Sequence, residues 1–181
     1  LPSIKKDRFK AQYKLNDYDI DILTNNRELS EYFEKTIEGT DLSAKTTANW
    51  IITEVLALAN KKNISVAEYP VSFKNLQNLL SSVQSEVISS KQAKDVFERM
   101  WNNGEDAQYI IENEGMQQIS DTDELNKIVD NIIKNNYKSV EDYQNGKDKL
   151  FGFFVGQVMK ETKGKGNPKL INQILKEKLK K

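Results

Sequence analysis

The sequence contains no cysteine and no histidine among its 181 residues. Without cysteine it can form no disulfide and no thiolate zinc site, and this composition suits a reducing compartment. Without histidine it lacks the side chain that most often acts as acid or base at neutral pH, which excludes Ser/His/Asp and Cys/His catalytic arrangements. We therefore predict that the chain has no catalytic residues and no metal site of its own.

Long apolar runs are also missing. No stretch approaches the roughly eighteen consecutive apolar residues of a membrane span, and the N-terminus lacks the regions of a signal peptide. We expect a soluble, cytoplasmic protein with no membrane partner. The chain opens with Leu1 rather than Met and continues directly into the charged stretch 5–10, so we interpret it as a fragment whose active site lies upstream.

The formal net charge is zero, but the charges are unevenly distributed. Residues 144–181 hold ten lysines against Asp148, Glu161 and Glu177, a net charge of +7, which leaves −7 for residues 1–143. A basic C-terminal end indicates a polyanionic partner, although lysine-rich terminal helices are also common as solvated surfaces. On charge alone both interpretations stay open.

Apolar residues recur at helical spacing along almost the whole chain, and alternation with a period of two is nearly missing, which predicts an all-α fold. We expect a multi-helical domain over residues 1–118 and a small helical-bundle tail domain over 119–181. The boundary is placed in the polar segment 115–120, predicted to be an exposed hinge. Residues 41–62 carry apolar side chains on most sides and should form a central, buried helix.

Some residues have a clear predicted structural role. Ser72 and Asn167 are expected to cap the N-termini of helices, and Pro168 suits the first helical position after Asn167. Trp50 and Trp101 lie on apolar stripes, so we predict that they are core residues rather than stacking platforms for bases.

Gly152 and Gly156 are four residues apart and share one face of a predicted helix. The favoured interpretation is tight packing against another helix, and the alternative is a binding surface that a ligand can approach closely.

Three pairs of carboxylates are interpreted as residues at helix starts, where acidic side chains favour the helix dipole, rather than as ion sites or acid and base pairs. They are Asp17 with Asp19, Asp121 with Asp123, and Glu141 with Asp142.

The stretch 160–168, KETKGKGNP, is the most informative part of the sequence. It is expected to end one helix, cross a turn rich in glycine and lysine, and open another helix whose first N–H groups are free to face an anion. That chemistry suits a phosphate backbone. The stretch is not a Walker loop, since it lacks Gly-Lys-Ser/Thr at the required spacing and no strand precedes it. A solvated turn between two helices is the alternative.

Several segments have the order and spacing of a known family. They are Tyr18-Asp19, Ile22-Leu23-Thr24, Ala48-Asn49-Trp50, Ser89-Ser90-Lys91, Val96-Phe97, Met100-Trp101, Gly146-Lys147, the run 152–160 (GFFVGQVMK) and the run 163–168 (KGKGNP). Over essentially the whole chain this pattern resembles the C-terminal helical and tail domains of the GatB/YqeY family, found in the B subunit of the aspartyl/glutamyl-tRNA amidotransferase. Gly166 departs from it, because family members more often carry alanine there, and we expect it to loosen the turn.

The resemblance implies a role in a ligase that converts Glu-tRNA(Gln) to Gln-tRNA(Gln), and in many bacteria Asp-tRNA(Asn) to Asn-tRNA(Asn), as a heterotrimer with the A and C subunits. It implies that ATP- and Mg-dependent chemistry occurs in a cradle domain preceding this segment, while the A subunit makes ammonia from glutamine. No cofactor is therefore expected in this chain. The implied role of the tail is to bind the tRNA elbow near its D-loop.

The basic turn and the resemblance together predict a set of RNA-binding residues. These are Lys147, Gly156, Lys160, Lys163, Gly164, Lys165, Gly166, Asn167 and Lys169. A free-standing YqeY-type accessory protein and a purely structural protein-interaction module remain the alternatives, and the sequence does not choose between tRNA(Gln) and tRNA(Asn).

Overall fold

The computed structural model describes residues 1–181 and is built from α-helices, with no β-strand. The predicted all-α fold is confirmed. The chain divides into two compact units: the first comprises Leu1–Ser85 and Ser90–Glu114, and the second comprises Glu86–Ser89 and Gly115–Lys181. The division after Glu114 lies close to the boundary predicted after residue 118, and the two-domain organisation stays a prediction.

The first unit holds eight α-helices and one 3-10 turn, Val66–Glu68. The helices are α1 (Pro2–Tyr13), α2 (Asp17–Leu23), α3 (Arg27–Ile37), α4 (Ala44–Trp50), α5 (Leu56–Lys62), α6 (Phe73–Gln84), α7 (Ser90–Asn103) and α8 (Ala107–Asn113).

Helices α4 and α5 follow one another through a π-helical turn, Ile51–Val55, and together form the central helix predicted from the sequence. Its apolar stripe faces inward, because Ala48, Ile51, Val55 and Ala59 are all fully buried. The apolar spacing in the sequence did not predict the π-helical turn. It changes the register of the helix where the stripe is most deeply buried.

Aromatic side chains dominate the core of the first unit. Phe9 packs against the Phe33 ring at 5.7 Å between centroids, and Trp101 packs against Phe97 at 5.8 Å. Trp50 and Trp101 are 5% and 2% exposed, so the prediction that both are core residues is confirmed.

The second unit is a bundle of four helices with a mainly aliphatic core. The helices are α9 (Thr122–Asn135), α10 (Tyr137–Gln144), α11 (Leu150–Glu161) and α12 (Pro168–Lys178). Its buried core consists of Leu125, Val129, Ile132, Phe154, Val158, Ile171, Leu175 and Leu179.

The helix caps predicted from the sequence are present. The Ser72 hydroxyl accepts a hydrogen bond from the Asn75 N–H at 3.1 Å, and Asn167 caps α12 with Pro168 as its first residue. None of the helices is long and apolar enough to cross a membrane.

Candidate nucleic-acid interface

A tight turn rich in lysine connects α11 to α12. Lys163 and Gly164 both adopt left-handed backbone conformations, with φ of 55° and 76°, and glycine takes this conformation without steric cost. The Gly164 N–H donates to the Met159 carbonyl at 2.7 Å, and the Lys165 N–H donates to the Thr162 carbonyl at 3.0 Å. The backbone of the turn, residues 160–169, is therefore held by its own hydrogen bonds. We call this segment the basic turn.

Gly166 lies inside the basic turn. Its N–H donates to the Thr162 hydroxyl at 3.0 Å, and both residues are buried. A Cβ at Gly166 would come within 2.6 Å of Ile171 Cδ1 and 2.9 Å of Thr162 Oγ1. The expectation that Gly166 loosens the turn is therefore wrong, because the residue is closely packed where its side chain is missing.

Asn167 is only 1% exposed and uses its whole side chain. Its Oδ1 accepts hydrogen bonds from the backbone N–H groups of Lys169 at 3.1 Å and Leu170 at 3.3 Å. Its Nδ2 donates to Glu86 Oε2 at 2.9 Å and to Ser120 Oγ at 3.2 Å. The prediction that the first N–H groups of α12 are free for an anion is therefore wrong, since Asn167 already satisfies them.

A short parallel bridge joins the basic turn to the segment that follows the first unit. The Ile119 N–H donates to the Lys165 carbonyl at 2.7 Å, and the Asn167 N–H donates to the Ile119 carbonyl at 3.0 Å. The neighbouring Gln118 N–H donates to the Val87 carbonyl. Residues 118–120 are thus hydrogen-bonded within the second unit.

The predicted lysines differ in their surroundings. Lys160, Lys163 and Lys169 are exposed, and Lys165 is half-buried. Lys147 is also exposed, and its Nζ lies 3.7 Å from Asp142 Oδ2, a surface pair that contributes little to stability. The three lysines of the second unit that form ion pairs are Lys147, Lys178 and Lys180. Those of the basic turn form none, so their charges are not neutralised within the chain.

Gly152 and Gly156 form an exposed strip on α11, because no heavy atom lies within 4 Å of a Cβ built at either position. The favoured interpretation, tight packing against another helix, is therefore wrong for this chain. Lys160 follows Gly156 by four residues, so all three lie on the same face of the helix. The neighbouring Phe153 is 38% exposed. We call Gly152, Phe153, Gly156 and Lys160 the glycine face, and it leads directly into the basic turn.

Two of the three carboxylate pairs lie at helix starts, as predicted. Asp121 caps α9 by accepting from the Asp123 N–H at 2.9 Å, and Asp17 begins α2, as predicted. Glu141 and Asp142 instead lie in the second half of α10, so their placement at a helix start was wrong. The structure brings together no group of three His, Cys, Asp or Glu side chains that could hold a metal ion.

Three residues of this region were missed by sequence reasoning. Thr162, Ser120 and Glu86 all hold the basic turn through hydrogen bonds to Gly166 or Asn167. Thr162 carries a weak signal, because a hydroxyl near a helix C-terminus can satisfy nearby backbone groups. Glu86 lies 81 residues from Asn167, and nothing in the local sequence links the two.

The chain is similar in sequence to known proteins. The family model described as GatB domain matches residues 31–179. The chain belongs to the GatB/YqeY family. Relatives named as the B subunit of aspartyl/glutamyl-tRNA(Asn/Gln) amidotransferase are 45% identical in Nitrosococcus oceani, 46% in Thioalkalivibrio sulfidiphilus and 44% in Coxiella burnetii. Each match covers 99% of this chain and 38% of the relative. The GatB/YqeY resemblance seen in the sequence is thus confirmed.

Proposed function

We propose that this chain is the C-terminal part of the B subunit of a tRNA-dependent amidotransferase, which forms the amide of Gln-tRNA(Gln) or Asn-tRNA(Asn). Support comes from relatives of that name, about 45% identical over nearly the whole of this chain. ATP- and Mg-dependent activation and transamidation belong to a cradle domain elsewhere in the full-length protein, and the A and C subunits complete the complex. This chain supplies RNA handling rather than catalysis.

We further propose that the second unit binds the outer corner of the tRNA. The observation that carries this proposal is the basic turn itself, in which Lys160, Lys163 and Lys165 form no ion pair and stand on a backbone fixed by hydrogen bonds. Lysine side chains bind phosphate as point charges. A fixed backbone limits the conformational entropy that would be lost when these side chains meet an RNA backbone.

The glycine face supports the same placement. The absence of side chains at Gly152 and Gly156 leaves the surface of α11 open, so a ribose-phosphate backbone could approach the helix closely. The exposed ring of Phe153 offers a surface on which a base can stack. Lys160 lies on the same face, so it places a positive charge where the RNA backbone could approach the helix closely.

A binding titration tests the RNA proposal. The triple variant Lys160→Glu, Lys163→Glu, Lys165→Glu should bind glutamine tRNA much more weakly than the parent. The plot of log affinity against log salt should flatten by about 2 to 3 units, given roughly 0.7 to 0.9 per neutralised phosphate. Folding should barely change, because none of these side chains supports the core.

A matched control lies in the same unit. Lys127, Lys134 and Lys138 are exposed and unpaired, so their reversal to Glu changes the charge equally outside the basic turn. A triple at Lys5, Lys6 and Lys10 is less well matched, since Lys6 and Lys10 pair with Asp21 and Asp17. Equal losses from the basic-turn and control triples would mean a general attraction. No tRNA binding even by the parent would favour a purely structural module.

The catalytic part of the proposal has its own test. The purified chain should neither hydrolyse glutamine nor amidate mischarged tRNA, because it carries no cysteine, no histidine and no nucleotide-phosphate loop. Turnover that disappears on a point mutation within this chain would contradict it.

A further inference from the structure

The loop between α6 and α7 is part of the second unit, although both helices belong to the first. Residues Glu86–Ser89 pack with Gly115–Lys181, and Ile88 is only 1% exposed. Val87 accepts a hydrogen bond from the Gln118 N–H, and Glu86 accepts one from Asn167. This loop is therefore docked beside the residues that hold the basic turn.

The Glu86 carboxylate contacts Asn167, which joins the basic turn to the start of α12 and to Ile119. Asn167 caps α12 with its Oδ1, and its backbone N–H completes the bridge to Ile119. Its Nδ2 faces Glu86 Oε2 at 2.9 Å. A hydrogen bond to an ionised acceptor is stronger than one between neutral groups, so Glu86 fixes the amide in the orientation that caps the helix.

The backbone of Glu86 adds an independent reason to assign its side chain a role. Glu86 has φ of +63°, a left-handed conformation that favours glycine or asparagine over glutamate. On backbone grounds alone glycine would be preferred at this position. This chain nevertheless carries glutamate there, and its carboxylate contacts Asn167.

We infer that Glu86 is a positioning residue for RNA binding: through Asn167 it holds the basic turn in the conformation that presents Lys163, Lys165 and Lys169 together. This inference rests on the proposed function. It predicts a change in RNA affinity opposite to the one expected from charge. By charge alone an acidic side chain near the lysines should repel RNA, so its removal should strengthen binding. If position outweighs charge, removal of the side chain weakens RNA binding, although it removes a negative charge.

Two variants separate these effects. Glu86→Gln keeps an oxygen acceptor for Asn167 and removes the charge, so it should bind tRNA as tightly as the parent or more tightly. Glu86→Gly removes both the acceptor and the charge, and it suits the left-handed backbone. It should weaken binding about threefold to tenfold, the size expected when one hydrogen bond of ordinary net strength is lost. The melting temperature should stay within about 3 °C of the parent, because glycine removes the strain of the left-handed backbone and this offsets the lost hydrogen bond to Asn167.

Both variants are made in the full 181-residue chain and titrated with glutamine tRNA, alongside hydrogen exchange of the Lys169 and Leu170 amides. These two amides should exchange faster in Glu86→Gly and at the parent rate in Glu86→Gln. A core variant, Ile132→Val, controls for a general loss of stability in the second unit, and it should leave tRNA affinity unchanged.

The outcomes distinguish this inference from the proposed function. If Glu86→Gly binds tRNA as tightly as the parent while the basic-turn triple loses binding, the turn binds RNA and Glu86 does not position it. If Glu86→Gly and Ile132→Val lose affinity equally, Glu86 affects stability alone and the inference is wrong. If neither Glu86→Gly nor the triple changes binding, the proposed function fails.

Discussion

The two units of this molecule differ in the side chains of their cores and in their basic residues. The first has a core rich in aromatic rings, holds all three arginines, and pairs each of them with a glutamate. The second has an aliphatic core with Phe154 as its one fully buried ring, and its 13 basic residues are all lysines. It pairs three of those lysines with acidic partners.

This difference separates charge that is paired within the chain from charge that is not. In the first unit, Arg8 donates to both carboxylate oxygens of Glu34 at 2.7 Å, so its charge is satisfied within the chain. Arginine is the residue suited to such two-point contacts, whereas lysine acts as a strongly hydrated point charge. The lysines of the basic turn, in contrast, form no ion pair within the chain, since the paired lysines of the second unit lie elsewhere.

The largest expected effect comes from a pair of core substitutions, one in each unit. Phe33 and Phe154 are both fully buried, so Phe33→Ala and Phe154→Ala should each lower the free energy of unfolding by about 3 to 5 kcal/mol. Both tryptophans lie in the first unit. Tryptophan fluorescence therefore reports unfolding of that unit, while far-UV circular dichroism reports the helices of both.

If the two units fold independently, Phe154→Ala should shift the circular dichroism transition and leave the fluorescence transition unchanged. Phe33→Ala should shift both. A fluorescence transition that moves equally in the two variants would show that the units unfold as one cooperative body, and the predicted division into two domains would be wrong.

The next effect concerns Asn167, which links three segments of the second unit. Asn167→Ala should destabilise that unit by about 2 to 3 kcal/mol, because it removes a helix cap and leaves the partners of these part-buried hydrogen bonds unsatisfied. Urea unfolding followed by circular dichroism measures this loss. Asn167→Ser keeps an oxygen that can cap the helix and should cost less; an equal loss from both variants would mean that the cap is not the main contribution.

The helices and caps could be predicted from the sequence because both depend on local patterns. Apolar spacing placed the central helix, and the Asn167-Pro168 pair placed the start of α12. The same local reasoning assigned free N–H groups to that helix start. It failed there because the side chain of a capping asparagine itself accepts hydrogen bonds from the first N–H groups of the helix, which leaves those donors occupied.

The remaining features depend on contacts between distant residues. Whether Gly152 and Gly156 face another helix or solvent is decided by the packing of the whole unit, and no spacing rule gives that answer. The contact between Glu86 and Asn167 joins positions 81 residues apart. Sequence reasoning therefore located the candidate site but not what holds it in place.

A pH-dependent prediction concerns the first unit, where Tyr13 donates a hydrogen bond to Glu34. Burial, with the Glu34 hydrogen bond second, raises the pKa of Tyr13 to about 12 from its ordinary 10. The protonated phenol therefore favours the folded state: its contribution is complete below pH 10 and is lost as the pH rises through 12. Urea unfolding monitored by tryptophan fluorescence should show the onset of this decline between about pH 9 and 11.

Tyr13→Phe is the control for that decline, because it removes the titrating group and keeps the ring contacts with Phe9 and Phe33. Stability should fall less steeply with pH in this variant than in the parent. Tyr32 and Tyr69 have raised pKa values through burial, so some decline remains. Identical slopes would mean that Tyr13 does not contribute.

The smallest expected change in stability comes from substitutions in the glycine face. These should stabilise the fold but weaken tRNA binding. Gly152 and Gly156 lie within α11 with open space where a side chain would stand. Replacing both with alanine should stabilise the second unit by about 0.5 to 1 kcal/mol per site, because alanine loses less backbone entropy in a helix. If the RNA backbone approaches this face, the added methyl groups should at the same time weaken tRNA binding. Urea unfolding and tRNA titration of one double variant measure both effects, and a stabilised variant that binds tRNA as tightly as the parent would remove the glycine face from the proposed interface.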